Sequence, residues 1–401
     1  MTTEQPDDNL FIPLGSYKAP ALPTVDTLQA LMARLRTLFH KTDDTPFIAD
    51  DRLQRSTLEM LDDIVAPPAC GPLIDELQST LADWIAQPQR RFNLQLIVLP
   101  PGDENGVLAS WARQYGHAVL DAPDRTTLLS ATTADPINLD GDGVLVIPEL
   151  ERWFLRHRNG LTLVRALLAR LDTLERRCVI GCNSWAWAFL CKAVGAHMIL
   201  PQGLTFRAFD GARLGQWFSQ LAGDDSLRHI TFRVSDSGAD VMAEDDDGQL
   251  KHDHFTGLAA RSLGIPWVAW HIWRSSLRSS ADADESTGAE DRPDDETEAP
   301  KKVHPDDEQT LWVVALEQFS LPAGDDAEPA LLVLQALLIH GTLSVAELRD
   351  VVPVVGESTV LSALVRAGVV EQTRGQLRCT PAAYPAVRSG LSTAGFSMDR
   401  L

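Results

Sequence analysis

The middle of the chain alternates between short apolar runs and longer stretches with helical spacing. The runs Leu94–Leu99, Gly143–Ile147 and Arg177–Cys182 are mainly apolar, which is typical of strands buried on both faces. The stretches between them carry apolar residues at the spacing of one helix face. Strands that alternate with helices predict an α/β fold: a parallel sheet between helical layers, three layers in all. We place this core at 91–225.

The region before the core is predicted to be helical over 24–90, after a disordered tail at 1–23. Leu28, Leu31 and Leu35 recur at the spacing of one helix face, so the stretch that contains them has a side to bury. Three helix-like stretches share this property: Thr24–His40, Asp50–Val65 and Leu73–Gln87.

Two further patterns follow the core. In Phe255–Leu277, two helical stretches flank a Gly-Ile-Pro turn, which defines a lid-like helical region at 226–280. Residues 309–401 contain three helical stretches and then an extended segment, Val369–Arg378. This order is typical of a winged-helix domain with its wing. The helical stretches are Ala330–Gly341, Ser344–Val351 and Ser358–Ala367.

Charge is unevenly distributed over the 401 residues, whose formal net charge is −21. Residues 281–308 hold twelve acidic and three basic side chains without apolar periodicity, which predicts an acidic disordered linker. The rest of the chain is also acidic. Because affinity for nucleic acids comes largely from basic side chains that displace counterions, this balance disfavours DNA and favours a protein partner.

Composition gives no sign of a metal centre, a disulfide framework or a membrane anchor. The five cysteines form no C-x-x-C pair, and His252 and His254 have no third ligand at fixed spacing. Asn138–Gly143 resembles only the first half of a calcium loop. The chain starts with acidic, polar residues and has no apolar run near the ~20 residues of a membrane span. We therefore expect a cytoplasmic protein.

The first apolar run leads into a segment with the frame of a phosphate-binding loop. A strand, a Pro-Gly turn and a helix-like stretch follow one another over 94–111. When Gly106 is aligned with the second glycine of G-x-x-x-x-G-K-[ST], the first glycine position holds Pro101. The lysine position holds Val107 and the Ser/Thr position holds Leu108.

These replacements remove the chemistry of the loop. Lysine neutralises the β- and γ-phosphates, the hydroxyl binds Mg²⁺, and backbone N–H groups surround the phosphate oxygens. Pro100 and Pro101 have no N–H, while Asp103 and Glu104 add negative charge. Nucleotide binding is therefore disfavoured, and no cofactor is expected. Positions still able to contact a nucleotide in this degenerate loop are Gly102, Asn105, Gly106 and Val107.

The tips of the other two strands carry the candidate catalytic residues. Pro148-Glu149 follows Gly143–Ile147, and Asn183 follows Arg177–Cys182. Glu149 and Glu151 are possible acid/base groups, although two acids at the start of a helix are also favoured by its dipole. Arg156 lies a few residues further on and is either a catalytic residue or part of a salt-bridged helix surface.

This series of features resembles the AAA+ and STAND families of P-loop ATPases over about residues 90–385. The resemblance implies that Glu149 stands at the water-activating position, Asn183 at sensor 1 and Arg156 among trans-acting arginines. Pro148 replaces the Mg²⁺-linked Asp, and the sensor-2 Arg would fall near Trp267. An ATPase core, a lid and a winged helix occur in this order in origin-recognition-like and STAND proteins.

Several residues outside the loop are candidates for contact with a partner. Trp267, Trp270 and Trp273 recur every three residues, and an exposed stripe of this kind would mark an interface, whereas a buried one would form a core. Basic residues in the winged-helix region are also candidates for contact with protein or DNA: Arg366, Arg374 and Arg378.

Three hypotheses about function follow. The first is a non-catalytic AAA+/STAND-like pseudo-ATPase that acts as a regulatory or protein-interaction platform. The second is an atypical ATPase that binds ATP and Mg²⁺ through the loop, hydrolyses ATP with Glu149 and Asn183, and forms a homo-oligomer. The third and weakest is a winged-helix DNA-binding regulator, which requires strongly salt-dependent binding.

Overall fold

The computed structural model describes eleven stretches of the chain, namely residues 10–21, 53–55, 71–87, 93–104, 106–130, 137–222, 230–243, 252–280, 309–315, 319–354 and 359–401. The predicted helix Thr24–His40, the acidic linker 281–308 and Asn105 lie outside these stretches. None of the described helices has the length and apolar content needed to cross a lipid bilayer.

The strands, in chain order, are β1 (Phe11–Pro13), β2 (Leu53–Arg55), β3 (Leu94–Leu99), β4 (Ala118–Val119), β5 (Leu145–Ile147), β6 (Cys178–Asn183), β7 (Leu204–Phe206), β8 (Ile230–Val234), β9 (Leu277–Ser280), β10 (Gln309–Val313), β11 (Leu343–Ser344), β12 (Val370–Thr373) and β13 (Gln376–Cys379).

The α-helices are α1 (Gly71–Ala86), α2 (Val107–Gln114), α3 (Arg125–Ser130), α4 (Thr162–Asp172), α5 (Ser184–Ala193), α6 (Gly211–Ala222), α7 (His254–Arg261), α8 (Pro266–Ser276), α9 (Ala327–His340), α10 (Val345–Val351), α11 (Val360–Arg366) and α12 (Tyr384–Thr393).

The chain divides into two compact units. The first contains the described residues within 1–18, 69–208 and 318–401, and the second those within 19–68 and 209–317. In the first unit a six-stranded sheet has the order β1-β7-β3-β6-β5-β4, and all its pairs except β1–β7 are parallel. The predicted α/β fold class is confirmed.

Apolar burial explains why the sheet forms where the pattern predicts it. In β3 every side chain except Gln95 is buried, and all six residues of β6 are buried. Helix α2 packs on β4 and β5, and α5 packs on β3 and β6. The indole of Trp111 on α2 is fully buried and donates from Nε1 to Gln78 Oε1 of α1 at 2.8 Å.

The C-terminal part of the first unit contains α9–α12 and an antiparallel sheet of order β11-β13-β12. Helix α9 contacts α5 and the short 3₁₀ turn Leu150–Trp153. Strands β12 and β13 are joined by Arg374 and Gly375, both with positive φ, as a two-residue hairpin requires. The predicted extended segment Val369–Arg378 is therefore a hairpin.

The second unit is built on a four-stranded sheet of order β2-β9-β10-β8 and on helices α6, α7 and α8. Phe218, on α6, is at its aromatic core and contacts Phe255, Trp270 and Trp273 with ring centroids 4.9–5.8 Å apart. Helix α8 begins at Pro266, where a missing N–H costs nothing. Two helices therefore flank the Gly-Ile-Pro turn, as predicted.

Four expectations differ from the structure. Residues 11–13 form strand β1 rather than part of a disordered tail, because Phe11 is buried against the sheet. Residues 53–55 form strand β2, within the stretch predicted to be helical, because they pair with β9. Helix α6, predicted within the core, and β10, predicted within the winged-helix domain, both belong to the second unit. These elements are defined by long-range pairing, which local periodicity does not report.

Of the two alternatives for the tryptophan stripe on α8, the structure supports a core and not an exposed interface for the candidates Trp267 and Trp270. Trp267, Trp270 and Trp273 are all buried. The spacing of three residues therefore marks the side of α8 that faces the aromatic core.

Replacement of Trp267 by alanine should lower the free energy of unfolding by about 3–5 kcal/mol, because a large buried ring is removed. Urea denaturation followed by circular dichroism measures this change. Met198, which is 80% exposed, provides the control, and Met198→Ala should change stability by no more than ~0.5 kcal/mol. Equal effects of the two substitutions would contradict the buried position of Trp267.

Replacement of Gly181 by alanine should destabilise the protein by about 1–3 kcal/mol. A Cβ on Gly181, in β6, would collide with the carbonyl oxygen of Pro148 and lie 2.8 Å from Leu108 Cδ2. The matched substitution Gly257→Ala, on α7, meets no atom within 4 Å and should stabilise by about 0.5–1 kcal/mol. Urea denaturation of both variants checks the opposite signs, and a neutral Gly181→Ala would disprove the close approach.

Candidate functional site

Three segments meet at one edge of the first unit's sheet. Strands β3 and β6 are parallel and in register from Leu94↔Cys178 to Leu99↔Asn183, and β5 pairs in parallel with β6. The carboxyl ends of the three strands therefore lie side by side. This places the loop 100–106, Pro148-Glu149 and Asn183 along the same edge, where ligands of open α/β sheets usually bind.

The loop after β3 has an internal carboxylate at the position where a phosphate-binding loop holds an anion. Gly102 and Gly106 adopt positive φ values of 89° and 58°, and Gly106 precedes α2. The backbone N–H of Val107 donates to Asp103 Oδ2 at 2.7 Å. The N-terminus of a helix attracts negative charge. Here the carboxylate of Asp103, from the loop itself, binds the N-terminus of α2.

The side chains at the former lysine and hydroxyl positions are turned into the core. Val107 and Leu108 are both buried, with Leu108 close to Gly181 of β6. Of the four predicted nucleotide-contacting positions, Gly102 and Gly106 line the edge and Val107 uses its N–H for Asp103. Asn105 lies outside the described residues.

Glu151, rather than Glu149, reaches the end of β6. Glu149 is half-exposed and pairs with Arg152 at 3.2 Å. Glu151 Oε2 accepts the backbone N–H of Asn183 at 3.1 Å. Burial, with a contribution from the negative charge of Glu149, raises the pKa of Glu151 to about 7. Glu149 and Glu151 therefore differ in their contacts: Glu149 pairs with Arg152, and Glu151 binds Asn183. Only the geometry of the 3₁₀ turn shows this difference.

Asn183, the predicted sensor-1 residue, is committed to internal hydrogen bonds. Its Oδ1 accepts from Ala186 N–H at 2.8 Å and so caps the N-terminus of α5. Its Nδ2 donates to the carbonyl oxygen of Ile339, on α9, at 3.3 Å. Asn183 therefore links the sheet edge to the C-terminal helices.

Arg156, predicted to act at a catalytic site, contacts the C-terminal helix α9. Its backbone N–H donates to His340 Nε2 and its Nη1 to Gln335 Oε1, both at 3.2 Å. Arg125 donates to the carbonyl oxygen of His340 at 3.3 Å and also to the carbonyl oxygen of Phe154. Burial lowers the pKa values of both arginines. Arg125 and Arg156 thus form hydrogen bonds within the first unit.

His340 is a buried histidine that no sequence motif marks as a site residue. Burial keeps its pKa well below the usual value, the charges of Arg125 and Arg156 lower it further, and the Glu151 backbone opposes the fall. The imidazole is therefore neutral. Because Nε2 accepts from Arg156, the ring proton belongs on Nδ1. In sequence, this histidine is visible only as the last residue of an apolar helix.

The three predicted basic interaction residues have different positions. Arg378 lies on β13, where its Nη2 contacts Glu104 Oε1 of the loop at 2.7 Å and its Nε contacts Glu371 Oε1 at 2.5 Å. Arg366 and Arg374 are exposed. Arg378 therefore connects the C-terminal hairpin with the loop, and the other two remain available at the surface.

A second buried polar network holds the end of the chain. Ser184 Oγ donates to Asp399 Oδ2 at 2.6 Å, and Arg388 Nε lies 3.3 Å from Asp399 Oδ1. Tyr384 Oη donates to Asp399 at 3.3 Å and accepts from Trp185 Nε1 at 3.1 Å. Burial raises the pKa of Tyr384 well above its usual value. No sequence pattern predicted this network, because Ser184 and Trp185 are far from Tyr384 and Asp399 in the chain.

A cavity of about 420 Å³ lies at the sheet edge, between the loop and the C-terminal elements. Gly102, Glu104 and Ala109 line it on the loop side. Residues from the strand tips and from α9 complete the lining, among them Glu151, Asn183, His340 and Tyr384. Its volume is that of a small-molecule site.

Within the described residues, no group of three or more His, Cys, Asp or Glu side chains is placed to hold a metal ion. The calcium-like segment Asn138–Gly143 instead surrounds a guanidinium group. Arg176 donates to the carbonyl oxygens of Asp140, Asp142 and Gly143 at 2.7–3.0 Å. The carbonyl oxygens of this turn therefore accept hydrogen bonds from the guanidinium group of Arg176.

The described residues have the arrangement of strands, loop and helix that the predicted resemblance to AAA+ P-loop ATPases implies. A central strand is followed by a loop and α2, and the tips of β5 and β6 lie beside that loop, as the resemblance implies. What differs is the chemistry of the edge, where the loop lacks the phosphate-binding side chains.

No protein-family model and no curated protein matches the chain. Among solved structures, it is similar to Cdc6p from Pyrobaculum aerophilum, with a TM-score of 0.29, 12% identity and coverage of 88% of this chain and 100% of that one. It is similar to the Aeropyrum pernix ORC2 protein in its ADPNP-ADP complexes, with a TM-score of 0.27, 11% identity, and 90% and 98% coverage.

A third similar structure is the RuvB Holliday junction branch migration motor of Thermotoga maritima, with a TM-score of 0.30, 11% identity, and 84% and 97% coverage. With TM-scores near 0.3, these likenesses carry no conclusion about activity.

Glu151 should make stability fall as the pH rises from about 4.5 to about 7. Its pKa is raised from 4.5 to about 7, so the folded protein holds a proton that the unfolded chain releases in this interval. Glu151→Gln removes this titration. The difference in unfolding free energy between variant and wild type should therefore shift in favour of the variant from pH 5 to pH 8, as measured by urea denaturation.

The comparison with wild type cancels the contribution of His340, whose lowered pKa has the opposite effect and reduces stability at pH values below about 6.5. Glu175→Gln, at an exposed glutamate, serves as the control and should give the same difference at both pH values. A constant difference for Glu151→Gln as well would refute the raised pKa.

Proposed function

We propose that this protein is a non-catalytic member of the AAA+-like fold that acts as a regulatory or protein-interaction platform. The observation that carries the proposal is the hydrogen bond from Val107 N–H to Asp103 Oδ2 at 2.7 Å. It puts a carboxylate where a nucleotide phosphate would have to bind. At about 4 Å, two like charges repel by roughly 1–4 kcal/mol for effective dielectrics of 80 to 20, and a polyphosphate carries several.

The other side chains needed for ATP hydrolysis are also engaged in contacts within the protein. Asn183 caps α5 and bonds to α9, Arg156 contacts His340 and Gln335, and Glu149 pairs with a neighbouring arginine. A catalytic version of the edge would have to break these contacts to use the same side chains. They support a role in fixing the C-terminal elements on the core.

The C-terminal elements are the proposed docking region. They hold the order of helices and hairpin that a winged helix requires, and direct hydrogen bonds attach them to the core. Arg366 and Arg374 remain exposed there. Because the whole chain is strongly acidic, with a net charge of −21, we assign this region to a protein partner rather than to DNA. Self-association and a cytoplasmic location belong to the same proposal.

Titration calorimetry with ATP and ADP, with and without Mg²⁺, tests the proposal directly. We expect no binding heat up to about 5 mM nucleotide, since the loop offers neither lysine nor hydroxyl. Asp103→Asn keeps the side-chain shape and an oxygen for the Val107 N–H while removing the charge. This variant should also fail to bind, because neutralising one repulsive group restores no phosphate ligand.

Two controls give the result a clear meaning. The Aeropyrum pernix ORC2 protein, solved with ADPNP and ADP, verifies that the titration detects nucleotide. Glu149→Gln is measured in parallel. Micromolar, Mg²⁺-dependent binding by the wild type, with hydrolysis lost in Glu149→Gln, would overturn the proposal in favour of an ATP-dependent switch.

A further inference from the structure

One ion pair joins the loop after β3 to the C-terminal hairpin. Arg378, on β13, places its Nη2 2.7 Å from Glu104 Oε1 of the loop. Its Nε lies 2.5 Å from Oε1 of Glu371, the residue directly opposite on β12. The two carboxylates therefore hold different nitrogens of one guanidinium group. Glu371 fixes Arg378 within the hairpin, and Glu104 ties the hairpin to the loop.

This ion pair closes a ring of contacts at the sheet edge. Leu99 of β3 is in register with Asn183 of β6, and Asn183 Nδ2 donates to the carbonyl oxygen of Ile339 on α9. The chain continues from α9 into β11, which pairs with β13. Arg378 on β13 then contacts Glu104, five residues after Leu99. Residues of the loop, of both strand tips, of α9 and of β13 line the cavity, so the ring forms its wall.

The links of the ring differ in their exposure to water. The leucines that pair β11 with β13 are fully buried, and so is the hydrogen bond between Asn183 and Ile339. The side chains of Arg378 and Glu104 are 31% and 24% exposed, although both residues line the cavity. The ion pair thus borders the cavity and also the solvent. Of these links, it is the one that salt weakens most, because dissolved ions screen partly exposed charges.

We propose that the ion pair between Glu104 and Arg378 is a gate of the cavity. While it is formed, the loop and the hairpin close the cavity between them. When it breaks, these two walls separate and the cavity opens to solvent by a local motion that leaves the sheet intact. The inference goes beyond the proposed function, since it concerns access to the cavity and holds with or without a docked protein partner.

Two cysteines that line the cavity report on its opening. Cys182 is buried at the end of β6, and Cys379 follows Arg378. Burial raises the pKa of Cys379 to about 12 and that of Cys182 well above its usual value, so both thiols react slowly in the closed state. Two cysteines outside the lining provide the comparison: Cys191, which is partly buried on α5, and Cys178, which is fully buried in β6.

Cys182 is the main readout. The charges of the ion pair are not among the influences on its pKa, whereas the carboxylate of Glu371 contributes to the raised pKa of Cys379. The experiment measures how fast N-ethylmaleimide modifies each thiol of the full chain, by mass spectrometry of the peptides. When opening and closing are fast compared with modification, this rate follows the population of the open state.

Variants of the ion pair test the gate. Glu104→Gln and Arg378→Gln should each raise the rate at Cys182 about fivefold, the upper end of what a partly exposed ion pair contributes. The double variant should react no faster than either single variant, because all three lack the same contact. The matched control Glu371→Gln removes a charge from the same guanidinium group but keeps the link to the loop. Its rate at Cys182 should stay within about twofold of the wild type.

Salt tests the gate in the wild-type chain, so the result does not depend on the folding of a variant. At about 1 M NaCl, where the Debye length falls to about 3 Å, Cys182 of the wild type should react faster, whereas Glu104→Gln should respond little. The rates at Cys191 and Cys178 should stay constant. A rate at Cys182 that responds neither to salt nor to the single variants, or that rises only together with the rate at Cys178, would overturn the proposal. Neither result bears on nucleotide binding, which tests the proposed function separately.

Discussion

The parallel register of β3, β5 and β6 is the constraint on which the rest of the first unit depends. Because these strands run in the same direction, their carboxyl ends and the segments that follow them lie at one edge. Gly181 allows the close approach of Pro148 to β6, where any side chain would collide. The loop, the two glutamates and Asn183 become neighbours only through this pairing, although about eighty residues separate the loop from Asn183.

At this edge, polar side chains at the loop and at the predicted catalytic positions form hydrogen bonds within the protein. Asp103 satisfies the start of α2, Asn183 caps α5, and Arg156 bonds to the end of α9. Each buried polar group needs a partner, and here most partners come from the chain itself. These contacts attach the C-terminal elements to the sheet edge through side chains of the protein itself.

His340 and Glu151 line the cavity at the same edge. The backbone of Glu151 forms a hydrogen bond with the His340 imidazole. Their pKa values move in opposite directions, since burial disfavours the charged form of both an imidazole and a carboxyl group. His340 is therefore neutral near pH 7, whereas Glu151, with a pKa of about 7, is about half ionised there.

The α/β class, the strands of the core and the lack of phosphate-binding side chains could be predicted from the sequence, because these depend on local periodicity and residue type. The sequence also indicated the helix pair at Phe255–Leu277 and an extended segment at Val369–Arg378, which the structure shows to be a hairpin. Three properties required the folded structure: the tryptophans of α8 are buried, β2 and β10 join one sheet, and Glu151 rather than Glu149 reaches Asn183. These properties come from contacts between residues far apart in the chain, and short-range patterns contain no information about which distant partner an element meets.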